Sequence, residues 1–128
     1  METTNRSDLS DIEVTFRVDY YLSQKTASLK IMYHTKAAEE YGVQYQLGYI
    51  QSQGEAPRLS PAMGIQEARE QKFAVDIFNG GALLLRMVDG NENELATTKI
   101  DRENWPFTAT GDVVGTQYSL PVPKDRLP

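Results

Sequence analysis

Residues 12 to 20 alternate without interruption: Ile12, Val14, Phe16, Val18 and Tyr20 fall on one parity, and Glu13, Thr15, Arg17 and Asp19 on the other. Successive side chains of an extended chain leave opposite faces of a sheet, so this segment can bury its apolar groups together only as a strand with one face on a core and one in water. On a helix the same residues would be scattered around the circumference. From residue 12 onward the chain is committed to β-structure.

The same period returns at 28 to 34, where Leu29, Ile31 and Tyr33 share a face opposite Lys30, Met32 and His34, with Ser23 to Thr26 as the hairpin connection. Val43, Tyr45, Leu47 and Tyr49 alternate with Gln44, Gln46 and Gly48 as a third half-buried strand. Between them, Thr35 to Gly42 combines an N-cap residue, good helix formers and a glycine stop, which predicts a helix of about two turns. From Gln51 to Lys72 the alternation dissolves into a polar stretch containing Gly54, Pro57, Pro61 and Gly64. A structureless connection of that length is uncommon in a compact domain and is often functional. Within it, Ser60 and Pro61 suit an N-cap and first helical position, and Gln66 to Gln71 suits a short helix.

Phe73 to Phe78, Ala82 to Val88 and Glu94 to Ile100 read as a three-stranded meander turning at Asn79-Gly80-Gly81 and at Asp89 to Asn93. Ala82 to Leu85 is apolar on both parities, as in a central strand covered on both faces. Asn104-Trp105-Pro106-Phe107 makes a corner, Val114 to Val122 supplies a last strand, and the chain from Pro121 leaves the sheet. The expected fold is all-β, or mainly β with one or two short helices: an antiparallel β-sandwich of about seven strands, with a small barrel as the alternative. One domain should span 12–122, between a flexible N-terminal segment 1–11 and a flexible tail 123–128.

Charge and composition exclude more than they assign. Acidic residues outnumber basic ones by 18 to 13, a net charge of −5 that repels a phosphate backbone, so nucleic acid is not an expected partner. The absence of cysteine removes disulfides, thiol nucleophiles and thiolate metal sites. No stretch is apolar enough for a membrane span, and the polar start with Glu2, Asp8 and Asp11 lacks the character of a secretory signal. A cytoplasmic location is the default expectation, and export without a signal peptide is the alternative.

The chain carries no recognisable catalytic motif. His34 is the single histidine, there is no Gly-x-Ser-x-Gly elbow and no phosphate-cradling glycine loop, and His34 reads as a surface residue opposite the core parity. Asp89-Gly90-Asn91-Glu92-Asn93-Glu94 begins like a calcium loop but has Glu94 where the sharp-turn glycine belongs, so a hairpin turn explains it better. Glu67 and Glu70 stand beside Arg69 and Lys72, a locally paired face. No catalytic residue, metal ligand or cofactor is assigned.

Seven tyrosines and one tryptophan are the more suggestive inventory. Tyr20, Tyr33, Tyr45 and Tyr49 fall on core parities. Tyr21, Tyr41 and Trp105 do not, and are candidate ligand-binding residues, with Gln44, Gln46, Gln51 and Gln53 nearby in sequence. Three readings follow. The first is a non-enzymatic module for a protein partner or for self-association. The second is a small-ligand or carbohydrate-binding domain using the three exposed rings. The third is an enzyme with its site in a cleft between loop 51–71 and the strand end at His34.

Overall fold

The structure, a computed structural model, describes residues 11–104 and 113–122. Among them, eight strands and one helix follow in the order β1 (Glu13–Tyr21), β2 (Thr26–His34), α1 (Lys36–Tyr41), β3 (Gln44–Ile50), β4 (Arg58–Leu59), β5 (Glu70–Ala74), β6 (Ala82–Val88), β7 (Glu94–Ile100) and β8 (Val113–Pro121). They form two four-stranded antiparallel sheets, ordered β5-β2-β1-β8 and β4-β3-β6-β7. Each sheet has two edges, so the architecture is the sandwich and not the barrel.

The alternation in β1 is realised as read. Val14, Phe16, Val18 and Tyr20 are buried and meet Tyr45, Leu47, Leu83, Leu85 and Met87 of the second sheet in one continuous core. Tyr20 keeps its hydroxyl satisfied by donating to the Val75 carbonyl at 3.0 Å, as a buried phenol must. Ala82 to Leu85 are all buried, as the two-parity apolar run requires of a central strand. Thr35 caps α1 through its side chain, and Gly42 ends the helix at φ 84 in the left-handed region that glycine adopts without strain. Thr35 also ties the helix to β1, because the Glu13 amide donates to its hydroxyl and its own amide donates to the Glu13 carbonyl.

Four expectations need correction. The meander does not form: β6 and β7 pair in the second sheet, but β5 pairs with β2 in the first. The strand expected over Phe73 to Phe78 is displaced toward Glu70–Ala74, and Ile77–Asn79 is a 3-10 turn that carries the chain across the sandwich. No helix occupies 66 to 71; Gln71 already lies in β5. Ser60 is not a helix cap but a clamp on β3, its amide donating to the Leu47 carbonyl and its hydroxyl accepting from the Leu47 amide. Loop 51–71 is therefore tied down at β4, Ser60 and the Tyr45–Met63 bridge. Pro121 closes β8 opposite Glu13, on an edge strand where its missing N–H costs no ladder bond. Trp105, its corner to Phe107, the segment 1–10 and the tail 123–128 lie outside the described residues.

Candidate functional site

A further correction builds the site. In β2, Thr15 faces Tyr33 and Phe16 faces Ile31, so Met32 is an extra residue without a partner on β1. Such a bulge reverses the parity of everything after it. Tyr33, placed by simple alternation on the core face, is 59% exposed, and Met32 beside it is 42% exposed. His34, expected at the surface, is instead turned inward opposite Val14 and is half-buried. The backbone at this point is held by the Ile31 amide, which donates to the Arg69 carbonyl at 2.7 Å.

Turned inward, His34 meets the opposite sheet. Its Nδ1 lies 2.6 Å from the hydroxyl of Tyr45, which is fully buried in β3. Burial pushes the Tyr45 hydroxyl far above the usual phenol range, so it stays protonated. Burial also lowers the His34 pKa, opposed by the nearby Glu39 carboxylate, and favours the neutral imidazole. The phenol proton has His34 as its only acceptor among the described residues, so Tyr45 donates to Nδ1 and the imidazole proton sits on Nε2.

His34 lines a cleft of about 460 Å³ between the end of β2, α1 and the chain leading into β5. This is the size of a small-ligand site. Ile31, Val43 and Ile65 supply its apolar wall, and Glu39, Gln66 and Arg69 its polar rim. Met32 and Tyr33 stand at its margin. The position between loop 51–71 and His34 is where an enzymatic site would be sought, yet the phenol touching the imidazole is sealed in the core and cannot reach a substrate.

The three candidate aromatics are not brought together. Tyr21 ends β1 opposite Thr26, with Lys72 Nζ 5.9 Å from its ring centroid. Tyr41 ends α1, beyond the His34 end of β2, and is 39% exposed. Val14, the partner of His34, and Tyr21 are separated by most of β1, roughly 23 Å of extended chain, so Tyr21 and Tyr41 occupy opposite ends of the sandwich. Trp105 is outside the described residues. A second cleft of about 430 Å³ lies near the Tyr21 end, where Lys25 is already paired with Asp76 at 3.6 Å.

The polar turn is fully engaged in its own fold. Asp89 Oδ1 accepts from the amides of Asn91 and Asn93, and Oδ2 from the Asn93 side chain, which holds its carboxyl below the usual carboxylate range. Among the described residues no group of three or more His, Asp or Glu is placed to hold a metal ion, and no helix is long and apolar enough to cross a membrane.

No protein-family model matches the chain, and no curated protein matches it either. Sequence reasoning missed Met32 and the Arg69-lined wall of the cleft. The one available signal was the histidine itself, since a polar ring at a strand end is a reason to test both parities.

Proposed function

We propose that this protein is a non-enzymatic binding module that engages a protein partner at the His34 end of the sandwich. The observation that carries the reading is the pair Met32 and Tyr33, consecutive residues with 42% and 59% of their surface exposed at the margin of a cleft. An ordinary strand would show only one of two consecutive side chains on a given face; the bulge exposes both. Methionine adapts its shape to a partner, and tyrosine gives a rigid apolar area with a polar tip, the types enriched at the centres of interfaces. The tethered loop 51–71 and the capped helix α1 give this surface a fixed frame. Hydrolytic or transfer chemistry has no support, because the imidazole is spent on positioning against a buried phenol and no nucleophile stands beside it among the described residues.

The test is affinity capture from cell extract, together with native mass spectrometry of the purified chain, for the wild type and for Met32→Ser/Tyr33→Ser. Both substitutions are at exposed positions, so circular dichroism should be unchanged. A partner, or a second copy of the chain, retained by the wild type and lost from the double variant is the expected result. Equal capture by both proteins, with equal oligomeric state, would refute the assignment of the surface.

A further inference from the structure

We infer that the cleft beside the bulge receives the C-terminal residue of a partner polypeptide, its free carboxylate against Arg69 and its side chain on Ile31, Val43 and Ile65. The inference rests on the reading above that the partner is a protein, and it names the chemistry by which that partner is held.

Arg69 is the decisive residue. Its backbone is fixed at the bulge by the Ile31 amide, yet its guanidinium is exposed and has no ion-pair or hydrogen-bond partner among the described residues. The carboxylates next to it in sequence are occupied elsewhere: Glu67 Oε1 accepts from the Gly64 amide at 3.1 Å, and Glu70 Oε2 accepts from the Ser28 hydroxyl at 3.0 Å. Several other cations are paired, Arg17 with Asp19, Arg86 with Gln46, and Lys25 with Asp76, and of the arginines without a partner among the described residues Arg69 is the one that lines the cleft. An arginine left free on the rim of a cleft, in a protein of net charge −5, is a ready fork for a carboxylate.

The rest of the lining matches a chain terminus better than an acidic side chain. A terminal residue carries its carboxylate and its apolar group on one carbon, which suits a cleft lined by both a cation and apolar side chains. Its backbone N–H needs an acceptor, and Glu39 stands on the same cleft with its side-chain carboxylate in no hydrogen bond among the described residues, its amide and carbonyl being bonded to the cap residues of α1. His34 lines the same cleft, and with its proton on Nε2 it is a neutral donor that brings no second charge. A volume of about 460 Å³ admits one large residue and part of the next. Capture of a terminal carboxylate by a small set of fixed donors is a known mode of peptide recognition.

The experiment titrates the full ¹⁵N-labelled chain with a polar hexapeptide ending in leucine as the free acid, the same peptide as its C-terminal amide, and N-acetylleucine. The free acid should shift the amides of residues 31–34, 43 and 65–69. Amidation of the peptide, or Arg69→Gln in the protein, should weaken binding at least tenfold. Equal binding of acid and amide, an unchanged affinity in Arg69→Gln, or no shift at these residues would overturn the inference. N-acetylleucine binding as tightly as the hexapeptide would also overturn it, in favour of a small free acid. If the peptide fails while capture still depends on Met32 and Tyr33, the carboxylate assignment falls and the protein-binding reading stands; peptide binding without such capture gives the reverse.

Discussion

The Nδ1 of His34 and the hydroxyl of Tyr45 lie 2.6 Å apart and join the two sheets through their side chains. This link depends on a neutral imidazole, so it is sensitive to acid. His34 has a lowered pKa in the folded protein because burial disfavours its charge, whereas in the unfolded chain it titrates near the ordinary value of about 6.5. Below that value the unfolded state binds more protons, and stability falls with pH. Urea midpoints measured from pH 7.5 down to pH 5 should drop further for the wild type than for His34→Gln, with the loss complete only below the folded pKa. A parallel decline in the two proteins would remove His34 from the account.

Tyr45→Phe deletes the donor and leaves Nδ1 without a partner in a half-buried position. A loss of about 1 kcal/mol is expected, at the lower end of the range for an orphaned polar group, because water can reach part of the ring. The proton resonances of the His34 ring should report a higher pKa in this variant, since a bond to the neutral form has gone. Chemical denaturation and NMR titration read the two effects separately.

Deletion of Met32 restores simple alternation to β2. Tyr33 would then follow Ile31 directly and stay outward opposite Thr15, and His34 would stay inward opposite Val14, so the contact with Tyr45 should survive. With the facing of every other residue kept, stability should stay within about 1 kcal/mol of the wild type in chemical denaturation. A loss of more than about 2 kcal/mol would show that the bulge itself carries packing.

Gly48 of β3 faces β4 so closely that a Cβ at this position would meet the backbone of Arg58 and Leu59. The obstacle is main chain, which cannot rotate aside. Gly48→Ala should therefore cost about 1–3 kcal/mol and should push β4 from the sheet. The specific readout is the Ser60 amide, bonded to the Leu47 carbonyl at 2.9 Å, which should exchange with solvent faster in the variant.

Asp89→Ala removes three hydrogen bonds from one turn. The melting temperature should fall, and the difference from the wild type should be greatest above about pH 5, since the unfolded carboxyl titrates near 3.9. It should shrink as the pH drops through the depressed folded value. Calcium at millimolar concentration should leave the wild-type melting temperature unchanged, because the turn already occupies the carboxylate.

The legibility of the fold in the sequence differed from element to element for physical reasons. The alternation in β1, and the capped helix between Thr35 and Gly42, are local patterns that tertiary contacts did not override. The bulge was invisible because Met32 has no glycine-like signature, and Leu29, Ile31 and Tyr33 continue a regular spacing across it. The two-residue strand β4 is too short to show any period. The path of β5 into the other sheet is set by which sheet covers Phe73, which stacks on Tyr49 with ring centroids 5.0 Å apart. Of the site, the single histidine and the neighbouring loop were legible, but Arg69 reads in sequence as one member of a paired surface run and acquires its isolation only from where Glu67 and Glu70 turn.

The pairing of β1 with β8, in which Val14 lies opposite Leu120, sets the order of events during synthesis. β1 acquires one of its two neighbours only after β2 to β7 have followed. Until then it presents a bare, apolar edge, and closing so long a loop is slow because its entropy is lost before any contact compensates. The β5-β2-β1-β8 sheet is thus completed after the other one, and the nascent chain needs protection of that edge until β8 has emerged.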